Sequence, residues 1–303
     1  MPLDSTGSPP RRLRATAIGG IAVLLWAGLA VLTKLAGPVP PLQLVAMSFA
    51  IAGAASLVFW TIQGGSILAR LRYPPAVWLL GIGGLFGYHL LFFVALGAAP
   101  AVEVTLVNYT WPLLIVLFSG LLPGERLHWW HIAGVLIGLL GAVQLVTQGF
   151  TVTLGRGHAL GYLAAIGGSL TWSSYSVLSR RFGNVSSDAI GGFCVATAML
   201  ATLCHVAVEP SVWPSSAIAW LAVLGLGLGP VGIAFFAWDY GVKHGNIKAL
   251  GGMSYAAPLL STLLLIGAGM AEASASIGLA CLAIIGGALL AARDLWAPAA
   301  AQA

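Results

Sequence analysis

Charged side chains occur in this chain only as punctuation, and the stretches between them are apolar and about as long as a helix that crosses a bilayer. Such a crossing needs roughly 20 predominantly apolar residues. Cutting the 303 residues at their charges yields ten candidate spans: 15–36, 42–62, 76–97, 101–121, 129–148, 158–180, 189–208, 217–240, 247–268 and 275–292. The run from Leu35 to Ala69 carries no charge, and it divides at Gly37-Pro38-Val39-Pro40-Pro41 because clustered prolines break a helix. With 59% hydrophobic and 7% charged residues and a mean hydropathy of +0.97, the chain lies far outside the soluble range. The expected fold class is an all-α polytopic membrane protein.

The arginines at 11, 12 and 14 and the apolar run after them imitate a secretory signal, but the run is long and nine similar ones follow, so it reads as an uncleaved first helix. Residues 1–14 read as a disordered cytoplasmic tail, because MPLDSTGSPP offers neither periodicity nor apolar area; 294–303 form a second tail. Basic residues near span ends stay on the cytoplasmic side. With the N-terminus inside, Arg11, Arg12, Arg14, Arg70, Arg72, Arg126, Arg180, Arg181, Lys243, Lys248 and Arg293 fall inside, and only Lys34 and Arg156 outside. Both termini are therefore expected in the cytoplasm. That bias accounts for the pI near 9.4 without nucleic acid, with anionic inner-leaflet lipids as the partners of the basic ends.

Trp26 and Trp172, Lys34 and Arg180, Tyr109 and Tyr255, and Pro112 and Pro258 each repeat at an offset of 146 residues, and Glu125 and Glu272 are one off that register. The chain thus reads as two five-helix units, 15–150 and 151–293. Five crossings is an odd number, so the second unit enters from the opposite side and the pair forms an inverted-topology repeat. Such repeats place a substrate path between the halves and expose it to each side in turn.

The segment NYTWPLLIVLFSGLLPGER, 108–126, puts polar and aromatic residues inside an otherwise apolar run. Pro112 removes a backbone donor and frees the carbonyl of Asn108 four residues back. A freed carbonyl is costly in lipid and usable in a watery cavity. Asn108, Tyr109 and Trp111 add amide, hydroxyl and indole groups, which suit a partly polar, partly flat substrate. The alternative is a packing kink. The second copy, MSYAAPLL, repeats the arrangement with Ser254, Tyr255 and Pro258 beside the flexible pair Gly251-Gly252, as for a matched hinge.

In the sixth span Trp172, Tyr175, Ser176 and Ser179 follow at i, i+3, i+4 and i+7, one helical face expected to line the path, unless the serines serve helix packing. Trp26 holds the matching place in the first span. Trp60, Trp78, Trp213, Trp220 and Trp296 lie near span ends and are assigned to the aromatic belts. Tyr88 and His89 stand mid-span in the third, where an imidazole is either functional or satisfied by a neighbouring carbonyl. Gln43 is the remaining polar residue placed toward the cavity.

Among the acids, Glu125 and Glu272 are assigned to helix N-terminal capping, while Asp239 and Glu103 lie toward opposite span ends. With no acid at mid-depth, gradient-driven export is the expectation, with His89 or Glu103 as fallback proton carriers. The glycine runs LGIGGLFG and LGLGLGP match no nucleotide-binding fingerprint, and the pairs Gly83/Gly87, Gly134/Gly138 and Gly225/Gly229 fit helix packing. Cys194, Cys204 and Cys281 show no C-x-x-C spacing and read as small packing residues. Neither a cofactor nor a metal is called for.

Ten spans, a Trp opening each half, and a Pro followed by an acid in the fourth span of each (PLLIVLFSGLLPGE, PLLSTLLLIGAGMAE) resemble the drug/metabolite transporter superfamily in its EamA branch. Within it, the aromatic content and VNYTWP are most similar to the YddG type of aromatic amino acid exporter. The resemblance implies no enzyme, but outward movement of small metabolites, aromatic amino acids first, across a bacterial inner membrane. A multidrug or nucleotide-sugar carrier is the alternative within transport, although a phosphorylated sugar would want mid-depth Lys or Arg and none is present. A membrane-embedded enzyme or scaffold is the more distant alternative. The sequence sets no oligomeric state, and a monomer is compatible with it.

Overall fold

The structure, a computed structural model, describes residues 9–64, 66–147, 155–269 and 275–295. The tails at 1–8 and 296–303, the boundary at 150–151, Glu272 and Trp296 lie outside the described residues. Within them every regular element is helical, and ten segments follow in order. The first is Pro9–Trp26 with Leu29–Ala36, the second Pro41–Gln63, and the third Pro75–Ile82 with Tyr88–Ala98. The fourth is Ala101–Asn108 with Trp111–Ser119, the fifth Trp129–Thr147, the sixth Ala159–Leu178 and the seventh Ala189–Val208. The eighth is Ala217–Leu226 with Ala234–His244, the ninth Ile247–Met253 with Ala256–Gly267, and the tenth Ala275–Ala291.

Eight of these stretches are long and apolar enough to cross a bilayer, fewer than the ten expected. The sixth has the length but is diluted by Trp172, Tyr175 and its serines and threonine. The tenth has the apolarity but only 17 residues.

Helix starts follow from local chemistry. Pro41 and Pro75 stand in the first turn of their helices, where no backbone donor is required. The Glu209 carboxylate accepts from the Leu42 and Gln43 amides, both at 3.1 Å, and so satisfies the exposed donors of the second segment.

The segments pack in a pattern that survives exchange of the halves. The second lies on the seventh, the fourth on the ninth and the fifth on the tenth, while the first packs on the eighth as the sixth packs on the third. The interruptions repeat as well. π-Helical turns at Gly83–Gly87 and Gly227–Ile233 divide the third and eighth segments, and breaks at Tyr109-Thr110 and Ser254-Tyr255 divide the fourth and ninth.

Glycine lets the fifth and tenth segments cross closely, as expected for Gly134 and Gly138. A methyl group at Gly134 would stand 2.5 Å from the Ala291 nitrogen, one at Gly287 2.5 Å from the Gly134 carbonyl oxygen, and one at Gly138 2.6 Å from the Tyr255 ring. Gly83 does not pack this way, since it faces nothing within 4 Å. Gly251 and Gly252 are packing contacts within a helix rather than loose backbone. A methyl at Gly251 would meet Val116 at 2.8 Å, and one at Gly252 would meet Ala291 at 2.5 Å.

One end of the bundle is closed by charge. Glu125, in the turn after the fourth segment, accepts from Lys248 at 3.0 Å and lies 3.3 Å from Arg180 and 3.6 Å from Arg12. Lys248 also lies 3.5 Å from Asp294, which pairs with His131 at 2.9 Å and accepts from the Trp130 indole at 3.0 Å. Burial raises the Glu125 pKa, but Lys248, Arg180 and Arg12 outweigh it and hold the group below its ordinary value. Burial likewise raises Asp294, and bonding to His131, then Trp130 and Lys248, brings it well below the usual carboxylate range. Glu125 is therefore an ionic hub and not the helix cap expected, because three cations from different segments converge on it.

Candidate substrate cavity

A cavity of about 270 Å³ opens between the first, third, fourth, sixth, eighth and ninth segments. Its walls are Trp26, Tyr88, Phe92, Trp111, Trp172 and Phe235, with His89, Asn108, Tyr109 and Ser254 as polar points and, among the described residues, no Lys, Arg, Asp or Glu. The indoles meet at edges: Trp26 lies 5.8 Å from Trp172 and 6.2 Å from Trp111, and Trp111 lies 6.4 Å from Trp172. Trp238, fully buried, stacks beneath Trp172 at 6.2 Å and 24°. Edge-on and offset contacts of this kind fix ring orientation beyond what area burial does.

The breaks in the helices position these side chains. In the eighth segment the π-helical turn leaves the Pro230 carbonyl to accept from Trp26 Nε1 at 3.1 Å. Turns of this type recur at functional sites because they redirect side chains. In the third segment His89 Nδ1 lies 2.7 Å from the Leu85 carbonyl oxygen, which makes Nδ1 the donor and leaves Nε2 as an acceptor. Asn108 donates from Nδ2 to the Tyr88 hydroxyl at 3.2 Å, while its Oδ1 is buried without a partner. A buried acceptor without a partner is costly, and this one belongs to a residue of the cavity wall. Ser254 donates to the Leu250 carbonyl at 2.7 Å and keeps its lone pairs.

The EamA-like transporter family matches residues 15–147 and, a second time, residues 159–293. The chain belongs to the EamA-like transporter family. Curated relatives include an "Aromatic amino acid exporter YddG" of Ancylobacter novellus, 52% identical over 92% of this chain and 97% of its own length. Proteins of the same name from Salmonella typhimurium and Escherichia coli are 28% and 27% identical over 83% and 92% of this chain and 87% and 97% of their own lengths. A crystal structure of a protein 51% identical superposes with a TM-score of 0.88 over 93% of this chain and 98% of the other. The protein is thus a multi-pass membrane transporter and not an enzyme, with the two-repeat layout of its family.

In this transporter the expected residues Tyr88, His89, Asn108, Tyr109, Trp111, Trp172, Ser254 and Pro258 all reach the cavity. Gln43 does not. It sits at the start of the second segment, where its Oε1 accepts from the Val212 amide at 2.9 Å. Tyr175 and Ser176 are also turned away, because the face of the sixth segment is wide enough for Trp172 to reach the cavity while Ser176 accepts from Trp238 Nε1 at 3.1 Å. Tyr255 is fully buried behind the wall. Nor does Pro112 leave the Asn108 carbonyl open, as Ser169 Oγ donates to it at 2.9 Å and Ser173 Oγ to the Trp111 carbonyl, also at 2.9 Å. Of the belt tryptophans, Trp60 is only 1% exposed, packed against Gly191, and is a core residue; Trp78 packs edge-on to Phe193 at 5.4 Å.

Sequence reasoning missed Phe92, Pro230 and Phe235. Pro230 was visible within LGLGLGP as a proline inside a helical run, the one signal that marked the eighth segment. Among the described residues no cluster of His, Cys, Asp or Glu has the arrangement of a metal site.

Proposed function

We propose that this transporter exports aromatic and other bulky apolar amino acids across the bacterial inner membrane by alternating access between two inverted five-helix repeats, 15–150 and 151–293, with both termini in the cytoplasm. The observation that carries the reading is the uncharged, indole-walled cavity with an orphaned amide oxygen at Asn108. An aromatic side chain stacks among Trp26, Trp111 and Trp172, at about 0.5–1.5 kcal/mol per ring pair beyond area burial. The ammonium group donates to Ser254 Oγ and, once the Asn108 amide turns toward it, to Asn108 Oδ1, and Tyr88 and Tyr109 offer hydroxyls near the carboxylate. A phosphate ester finds no countercharge. The names of the relatives support the same substrate class.

On this topology the cavity opens outward, where Leu29, Thr105 and Ser261 lie, and the Glu125 hub closes the cytoplasmic end. Protein in sealed liposomes should move Trp, Phe and Tyr faster than Gly, Asp or a sugar phosphate. Trp172→Ala should erode that preference more than Trp78→Ala. Equal rates for Phe and Asp, or equal behaviour of the two variants, would refute this account of the cavity.

A further inference from the structure

On the outer surface of the bundle, behind the cavity wall, the third and sixth segments part to leave a groove of about 720 Å³. Missing side chains open it. A methyl group at Gly83 would meet nothing within 4 Å, and one at Gly87 only Thr171 at 3.6 Å. The flanks are aliphatic and turned outward, with Leu79 77% and Leu178 37% exposed. Arg181 stands at one end and takes part in no ion pair among the described residues.

Dimensions and charge identify an occupant. Along the third segment the groove runs from Ala76 to Gly87, about 16 Å at 1.5 Å per residue, which is one leaflet of a hydrocarbon core roughly 30 Å thick. Its charged end thus falls at headgroup level and its apolar end at mid-bilayer. In the other half Leu32 stands at the position of Leu178, and a methyl on Gly229, the counterpart of Gly83, would lie 3.8 Å from Leu25. Leu35 stands where Arg181 does. The cation at the groove's end is therefore replaced by an apolar side chain in the other half.

We propose that this groove binds one acyl chain of an anionic phospholipid, with the lipid phosphate on Arg181. Assignment to the cytoplasmic leaflet rests on the topology proposed above; the binding itself does not. Because Trp172 faces the cavity from the same helical turns that present Leu170 and Thr171 to the groove, the bound lipid braces the cavity wall from behind.

The test is native mass spectrometry of the detergent-purified full chain titrated with equal phosphatidylglycerol and phosphatidylcholine, which reads lipid retention independently of transport. The wild-type protein should retain phosphatidylglycerol over phosphatidylcholine by about fivefold, the effect of one basic side chain near a headgroup. Arg181→Gln should abolish the preference but keep a bound lipid, and Gly83→Leu, which fills open space, should remove that lipid. Arg14→Gln should match wild type. Equal retention of the two lipids by wild type, an unchanged preference in Arg181→Gln, a retained lipid in Gly83→Leu, or an equal loss in Arg14→Gln would each overturn the proposal.

Discussion

The Tyr255 hydroxyl donates to the backbone carbonyl of Tyr109 at 3.1 Å, and the two residues occupy the same place in the two halves, 146 positions apart. Each stands where its helix is interrupted, so one hydrogen bond joins the two breaks directly. Tyr255→Phe keeps the ring but leaves the Tyr109 carbonyl without this donor. A loss of about 1–3 kcal/mol follows if the acceptor is buried, read as a lower midpoint of thermal unfolding in detergent. An unchanged midpoint would show that water replaces the hydroxyl.

The prolines that follow these breaks should matter to motion more than to folding. In Pro112→Ala the restored donor joins Ser169 Oγ at the Asn108 carbonyl, which has a lone pair for each, while the bond to Ser169 still holds this turn against the sixth segment. Adding Ser169→Ala removes that tie between the helices and lets the fourth segment straighten. Transport should fall several-fold in Pro112→Ala and Pro258→Ala, and further in the Pro112/Ser169 double variant, with the size-exclusion profile intact. Full activity in both single variants would reduce these prolines to packing features.

The Glu125 hub should make the protein acid-labile in a defined window. Glu125 and Asp294 are held below their ordinary values, so the unfolded chain binds more protons than the native one as pH falls. Their stabilisation is full above the ordinary carboxylate pKa of about 4 and is lost as pH drops through the lowered values. Thermal midpoints should therefore be flat from neutral pH to about 5 as far as these two groups are concerned, and then fall. Glu125→Gln leaves Arg180 and Lys248 short of a counter-charge, at a cost on the order of 3 kcal/mol, and should show a shallower acid transition. A transition identical to wild type would remove Glu125 from the account.

Topology is checked at the chain ends. Single cysteines placed in tags at the N- and C-termini should resist an impermeant maleimide added to intact cells and react once the membrane is permeabilised. Labelling of either tag from outside would reverse the assignment.

The helices and the doubled architecture were legible because they rest on long-range regularities, namely apolar intervals between charges and a fixed offset between Trp26 and Trp172 or Tyr109 and Tyr255. The cavity was legible where a rare residue sat beside a helix breaker, as with Asn108 and Trp111. Direction was not: Tyr175 and Ser176 share a helical face with Trp172, and which part of a wide face meets a cavity depends on the neighbouring helix. Gln43 was misplaced because a glutamine in an apolar run is as readily satisfied by a loop amide as by a ligand. The hub around Glu125 was hidden because its cations come from positions 12, 180 and 248, and nothing in the local sequence brings these together.

The tryptophans at the base of the cavity also have an optical consequence. Trp26 and Trp238 lie 5.1 Å apart with planes inclined at 51°, on the first and eighth segments. Indole transition dipoles that close and that oblique couple, so the pair should give a split circular-dichroism band whose amplitude falls as the rings separate. Trp26→Phe should weaken the split and leave the part that comes from the Trp111, Trp172 and Trp238 pairs. If the first and eighth segments part during export, the chain carries its own gauge of that movement, readable without any attached dye.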